Sequence, residues 1–368
     1  MLRTAKLTLI LLMGGLVFAI ASSSFSAEAD SLPVSPELLK HAGLKIVWEG
    51  KLPMRNSESL RRLFFIGDKL YGLSNKNYMT SMDISTGKTV FATQVAPKGV
   101  TIGRMILHEG VLLTAHGGSV VMIDPKSGDR LRTSRMDYDV VCPPGANSSF
   151  LYLSGDDNRL HVLRAEDRVE IFEVADDNQS KITSILADDS SVIFATDAGN
   201  VVSMLPDRAK RLWKFDAADS IVGSMVRDGS SLFFASNDTN VYRLNITGSG
   251  NRAFVWKHQV PGIPENEPRV TRSVVYQAVR GKGVVAIEIS SARQLWILPD
   301  GAEFLAERGN LAYVLTHHNT LAVMDNGAGR KLYEVNFAAV SMSAPNVIDS
   351  NIYVGGESGW VMCLQPVR

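Results

Sequence analysis

The sequence predicts an all-β chain: one eight-bladed β-propeller of four-stranded antiparallel blades, closed by pairing of an N-terminal strand with the C-terminal blade. Three observations predict it. Short apolar strands open at Leu70, Val111, Phe150, Val192, Leu232, Val274, Leu311 and Ile352, 37 to 42 residues apart. An aromatic residue recurs late in the units, at Trp48, Phe91, Phe172, Trp213, Trp256, Trp296 and Tyr333. The last unit stops at Arg368 without its aromatic strand, while a spare one, Lys45-Ile46-Val47-Trp48, stands near the other end. A period of about 40 residues holding four short strands is one propeller blade.

The first thirty residues read as an address. Arg3 and Lys6 precede an apolar run from Leu7 to Ala21, and small residues follow up to Ala29. This is a positive n-region, an h-region and a small-residue cleavage zone. Residues 1–29 are expected to be a signal peptide cut after Ala29 in Ala27-Glu28-Ala29, or alternatively after Ser26. The apolar run is shorter than the roughly 18 residues of a spanning helix. An uncleaved anchor is the alternative. No cysteine stands near the site to carry a lipid. The mature protein is therefore expected to be exported, periplasmic or extracellular.

Composition bounds the function. Lys+Arg 38 balance Asp+Glu 38, and removing 1–29 leaves 36 against 37. A neutral chain does not suit a general nucleic-acid binder. Two cysteines, Cys142 and Cys363, do not staple a fold this size, and no Cys-x-x-Cys pair exists for zinc or redox work. Far apart round a ring, they are expected to be separate buried thiols.

Residues 30–44 form a linker with a short helix. Ser35 suits the N-cap, Pro36 the first helical position, and Gly43 the stop. The propeller then occupies 45–368. Its opening strands read alike, as in Leu70-Tyr71-Gly72-Leu73 and Leu232-Phe233-Phe234-Ala235. β-Branched and aromatic runs bounded by Gly, Asn, Asp and Ser are strands and hairpins. No unit has the 3.6-residue apolar period of a helical solenoid. The last unit is expected to hold strands at 343–347, 352–355 and 361–364, completed by residues 45–50.

Leading to each aromatic is a segment of fixed length, eleven residues in Ser81 to Phe91, Ala286 to Trp296 and Val323 to Tyr333. Asp83, Asp124 and Asp325 accept backbone hydrogen bonds to start a turn, and Thr86 does so more weakly. Gly87, Gly128 and Gly329 supply the positive φ of a bulged hairpin loop. The ring that follows has a large face to bury against the neighbouring unit. The one gap is Arg132, at the equivalent place in unit two.

This segment resembles the tryptophan-docking motif of the PQQ-like β-propeller family, A-x-D-x-x-T-G-K-x-x-W. Asp83, Thr86, Gly87 and Lys88 match it, with Ser81 for Ala and Phe91 for Trp. Asp124 and Gly128 match in unit two, and Asp325, Gly329 and Arg330 in unit seven. The resemblance covers about 45–368. One branch, the quinoprotein dehydrogenases, holds pyrroloquinoline quinone over the axis and commonly has a vicinal disulfide; this chain has no adjacent cysteines and no quinone or calcium ligand that matches. The other is the BamB-type scaffold of the outer-membrane β-barrel assembly machinery, also eight-bladed and exported, from which this chain departs by lacking a lipobox cysteine. The resemblance implies a non-enzymatic scaffold that binds another envelope protein; the residues themselves point to a monomer with no cofactor or metal, no nucleic acid and, for want of a lipobox cysteine, no lipid anchor. An enzyme using PQQ or another quinone in the axial funnel is one alternative, and a glycan- or small-ligand-binding propeller another.

Few residues stand outside the blade pattern. His317-His318 and His116 fall at strand turns and are read as exposed loops, not metal ligands. Trp360 lies off the ring landmark and is a possible partner contact. The Pro-rich connection Pro261 to Arg269, with Pro264 and Glu265, is expected to overhang the mouth of the axis and is a second. Asn147, Asn237 and Asn245 begin Asn-x-Ser/Thr triplets.

Overall fold

The computed structural model describes residues 34–246 and 251–367. The expected signal peptide lies outside them. Eight four-stranded antiparallel sheets are present, each a meander in strand order except one. In sequence order they span 60–94, 106–135, 145–174, 182–216, 221–259, 269–298 and 301–336 (blades 1 to 7). Blade 8 joins Met342–Ala344, Ile352–Gly355 and Trp360–Pro366 to the strand Leu44–Lys51. Leu44 pairs with Pro366 and Lys51 with Trp360, antiparallel. The predicted clasp is therefore what closes the ring, and no blade edge is left by the chain termini.

The first strand of blade 8 ends earlier than 343–347. Pro345 follows Ala344, and proline has no N–H to continue the ladder. Val347 and Ile348 consequently lie in a loop.

Second and third strands are almost wholly buried, as in Ser231–Ser236 and Asn200–Met204. They sit between neighbouring sheets, which is why their apolar runs are continuous rather than alternating. The core is therefore a set of interblade clusters. One gathers Trp48, Leu52, Leu60, Met82 and Tyr353 between blades 8 and 1. Another gathers Tyr71, Phe91, Leu112 and Val121 between blades 1 and 2.

A bulge explains how each ring reaches the next blade. In blades 1 to 7 the register between third and fourth strands slips once, always just before the landmark residue. Ser81 faces Phe91, whereas Met82 faces Thr89, so Val90 is the extra residue. The Leu44–Lys51 strand slips likewise between Ile46 and Trp48. An extra residue sharpens the local twist and re-aims its neighbour. Landmark side chains turn inward and the bulged residues turn outward, which accounts for the exposed Val47, Val90, Leu131, Ile171, Val255 and Leu332.

The helix Pro36–His41 begins and ends as expected, with Ser35 at the N-cap position and Gly43 at φ 64°. Ser35 makes no side-chain capping bond. Leu39 is buried and anchors the helix to the ring.

Candidate functional site: the axial channel and the docking turns

The turns ahead of the landmark residues are built on aspartate carboxylates. Asp83 Oδ1 accepts from the backbone N–H groups of Ser85 (3.1 Å) and Thr86 (2.9 Å). The Ser85 and Thr86 hydroxyls, with those backbone bonds, hold its carboxyl below the usual carboxylate range. Asp124 accepts from Lys126 N–H, and Asp325 from those of Gly327 and Ala328. Gly87 has φ 69° and Gly128 φ 78°. A Cβ on Gly87 would lie 2.4 Å from the Trp48 ring, and one on Gly128 2.3 Å from the Phe91 ring. Glycine is thus needed both for the turn and for the ring above it.

Three landmark tryptophans bond to the turn of the following blade. Trp48 Nε1 donates to the Ile84 carbonyl (2.6 Å), Trp256 Nε1 to that of Ile289 (2.9 Å), and Trp296 Nε1 to Asn326 Oδ1 (2.7 Å). Trp213 is buried but its Nε1 has no hydrogen-bond partner among the described residues. Phe172 packs into the cluster between blades 3 and 4. The gap at Arg132 is filled by chemistry instead of area. Its guanidinium donates to the carbonyls of Glu166 (3.1 Å) and Asp167 (3.3 Å) in the blade 3 turn.

The first strands converge on a channel with a cavity of about 590 Å³. Five charged side chains from four blades define it: Arg62, Arg104, Glu267, Arg269 and Glu303. Arg104 pairs with Glu267 (2.9 Å), Glu267 with Arg269 (2.7 Å), and Arg269 with Glu303 (3.3 Å). Burial pushes the Glu267 carboxyl up, but Arg269 and Arg104 outweigh it and hold it below its ordinary value. Glu303 has only Arg269, so burial wins and its carboxyl is raised. Arg62 stands beside Arg104 without an ion pair among the described residues, its guanidinium over the Phe64 ring at 5.6 Å. Burial, then Arg104, lowers its pKa, yet it stays charged.

Glu267 and Arg269 end the Pro-rich connection expected at the mouth of the axis, whereas Arg62, Arg104 and Glu303 were not singled out from sequence. The signal that finds them is a charged residue five to eight positions before a strand opening, as Arg62 stands before Leu70 and Arg269 before Val274. On a first strand such a position faces the axis.

The other candidates fall as follows. The Pro-rich connection does not overhang the mouth along its length. Pro264 is buried and bridges Val279, and Glu265 N–H donates to the Ala278 carbonyl, so this part folds back on blade 6. Glu265 is exposed, and only the end from Glu267 to Arg269 reaches the channel. Trp360 is half-buried in its strand, against Gly356. His317 and His318 are exposed on their turn. Cys142 and Cys363 are free and buried. Burial pushes their thiols up to about 11 and about 12, which makes poor nucleophiles. Asn147 is buried and donates to the Tyr152 hydroxyl and the Asp188 carbonyl, so its triplet serves packing.

The crystal structure of BamB from Moraxella catarrhalis matches with a TM-score of 0.66, covering 88% of this chain and 97% of that one at 13% identity. The chain has the fold of BamB. A crystal structure of the computationally designed Ika8 protein also matches, with a TM-score of 0.64 and 15% identity over 85% of this chain and 98% of that one. No protein-family model matches the chain, and no curated protein matches it. At such identities the BamB likeness is one of architecture: eight blades, four strands each, closed by both ends of the chain. No helix among the described residues is long and apolar enough to cross a membrane.

Proposed function

We propose that this protein is a non-enzymatic, exported propeller that binds another protein of the cell envelope, a scaffold of the BamB type. One observation carries the reading. Val347 and Ile348 are 49% and 71% exposed, side by side, where the loop of blade 8 meets the channel. Unlike the bulged residues of the outer strands, they are not exposed by ladder geometry. An adjacent apolar pair at a polar rim fits the buried centre of a protein contact. The signal-peptide pattern supports export, and the likeness to BamB supports the scaffold reading. Partners would dock on rigid loops without remodelling the ring.

The test is site-specific photocross-linking in the native envelope, with p-benzoylphenylalanine at Ile348 and, as control, at Leu131. One recurrent protein adduct from position 348 and none from 131 is expected. No adduct, or the same adducts from both positions, overturns the reading.

A second reading, a small anionic ligand in the channel, is favoured by three guanidinium groups against two carboxylates. PQQ with calcium is the first ligand to titrate. A flat visible and near-ultraviolet response removes the quinone form of it.

A further inference from the structure

Outside the channel, one cluster of metal-ligating side chains stands apart. His161 lies near the start of the third strand of blade 3, with its side chain only 4% exposed. Its Nε2 is 3.1 Å from Asp157 Oδ1, and its Nδ1 is 3.1 Å from Glu170 Oε2. Glu173 faces it across the ladder, with Oε2 3.8 Å from Nδ1. Single donor atoms of Asp157, His161 and Glu173 all fall within 4.8 Å of one another. Tyr138, from the connection between blades 2 and 3, stacks on the imidazole at 3.7 Å and 14°. Its buried hydroxyl has no hydrogen-bond partner among the described residues.

We propose that Asp157, His161 and Glu173 form a site for a borderline divalent cation of the zinc class. The centre of the cluster is a buried imidazole, not a carboxylate, and imidazole with carboxylates suits zinc and its neighbours. Two donors on one tetrahedral zinc stand about 3.4 Å apart at bond lengths of about 2.1 Å. The separation of Nε2 and Asp157 Oδ1 is close to that; Glu173 Oε2 stands on the Nδ1 side at 3.8 Å, so its exposed side chain has to swing toward Nε2 to complete the set. Glu170 supplies the outer partner: by accepting from Nδ1–H it fixes the tautomer and leaves the Nε2 lone pair for the metal. The stacked Tyr138 ring holds the imidazole plane.

Charge points the same way. Three carboxylates, Asp157, Glu170 and Glu173, surround the imidazole, and the cation paired with them is Arg159, through Glu173. Even with a protonated imidazole the group is negative by one. Asp137 adds to the field felt by Tyr138. A divalent cation replaces the Nε2 proton, which leaves to solvent, and offsets the remaining charge. Glu173 exchanges an exposed Arg159 ion pair, a weak contact in water, for the metal.

The test is titration of untagged full-length protein with Zn²⁺ by calorimetry at pH 7.5, with Co²⁺ as a spectroscopic probe. One equivalent should bind, Tm should rise, and Co²⁺ should develop a visible ligand-field band. The double variant Asp157→Asn, Glu173→Gln should lose binding at least tenfold. Both side chains are about two-fifths exposed, so the fold should survive. Glu170→Gln should weaken affinity about 10- to 100-fold as an outer carboxylate. His317→Gln, His318→Gln should bind as the parent does. A flat Zn²⁺ titration of the parent overturns the proposal. So does undiminished affinity in the double variant, or binding that follows His317 and His318.

Discussion

Tyr333 donates its hydroxyl hydrogen bond to the backbone carbonyl of Ala42, 2.7 Å away. Every other landmark side chain has a turn of the next blade to dock against. Blade 8 has no such turn, because its fourth strand arrives from the N-terminal side. The end of the helix Pro36–His41 takes that place. Tyr333→Phe should cost about 1 kcal/mol in urea unfolding, the usual net worth of one hydrogen bond. Deleting residues 30–43 should remove that cost, so a double-mutant cycle should give a coupling of the same size. Simple additivity would contradict the docking role.

Trp48 carries the clasp between blades 8 and 1. It is 8% exposed and its Nε1 bonds the Ile84 carbonyl. Trp48→Ala should lose about 3–5 kcal/mol, as large aromatic truncations in cores do. Trp48→Phe keeps most of the area and should lose about 1 kcal/mol with the hydrogen bond. Equal losses from the two variants would mean that the bond, not the packing, holds the clasp.

Gly128 is constrained twice, by its φ of 78° and by the Phe91 ring that a Cβ would strike. Gly128→Ala should cost about 1–3 kcal/mol from the backbone alone, with a steric loss added. In a Phe91→Ala background the steric part should vanish and the backbone part persist. Chemical denaturation of the four proteins separates the two.

A buried network between blades 6 and 7 sets a pH dependence. Glu307 accepts from Tyr276, from Thr271 Oγ1 (3.1 Å) and from Asn326 Nδ2 (3.4 Å), and Asn326 in turn accepts from Trp296. Burial raises the Glu307 carboxyl, only partly offset by its hydrogen bonds from Tyr276, Thr271 and Asn326. A raised pKa means the folded state holds its proton more tightly than the unfolded state. The resulting stability is complete below about pH 4.5 and is lost as pH rises through the raised value. Relative to Glu307→Gln, the parent Tm should therefore fall as pH climbs from 4.5 toward neutral. A constant difference across that range would contradict the burial effect.

The blades were legible because each repeats one local grammar. The apolar opening, the Asp-started turn and the ring are local features that need no knowledge of the partner sheet. Arg132 was legible only as an interruption. Nothing in its neighbourhood says that a guanidinium would find two carbonyls, since Glu166 and Asp167 belong to another blade. The pairing of the channel charges is illegible for the same reason: Arg104 and Glu267 meet across the ring. The cation cluster depends on a register pairing His161 with Glu173 and on a tyrosine from the preceding connection. The expected strand 343–347 is too long because Pro345 ends the ladder, and the loop carrying Ile348 begins there.

The pairing of Trp48 with Cys363 sets a timetable. Emerging in chain order, the strand around Trp48 precedes every other blade strand and has no mate until the strand around Cys363 has followed. Until then blade 8 is absent and blades 1 and 7 each present an uncovered flank. Long-range pairing of this kind is slow to form. Blades can gather one by one, but the molecule cannot be finished by instalments. Its last strand to be synthesised decides whether its first is ever held.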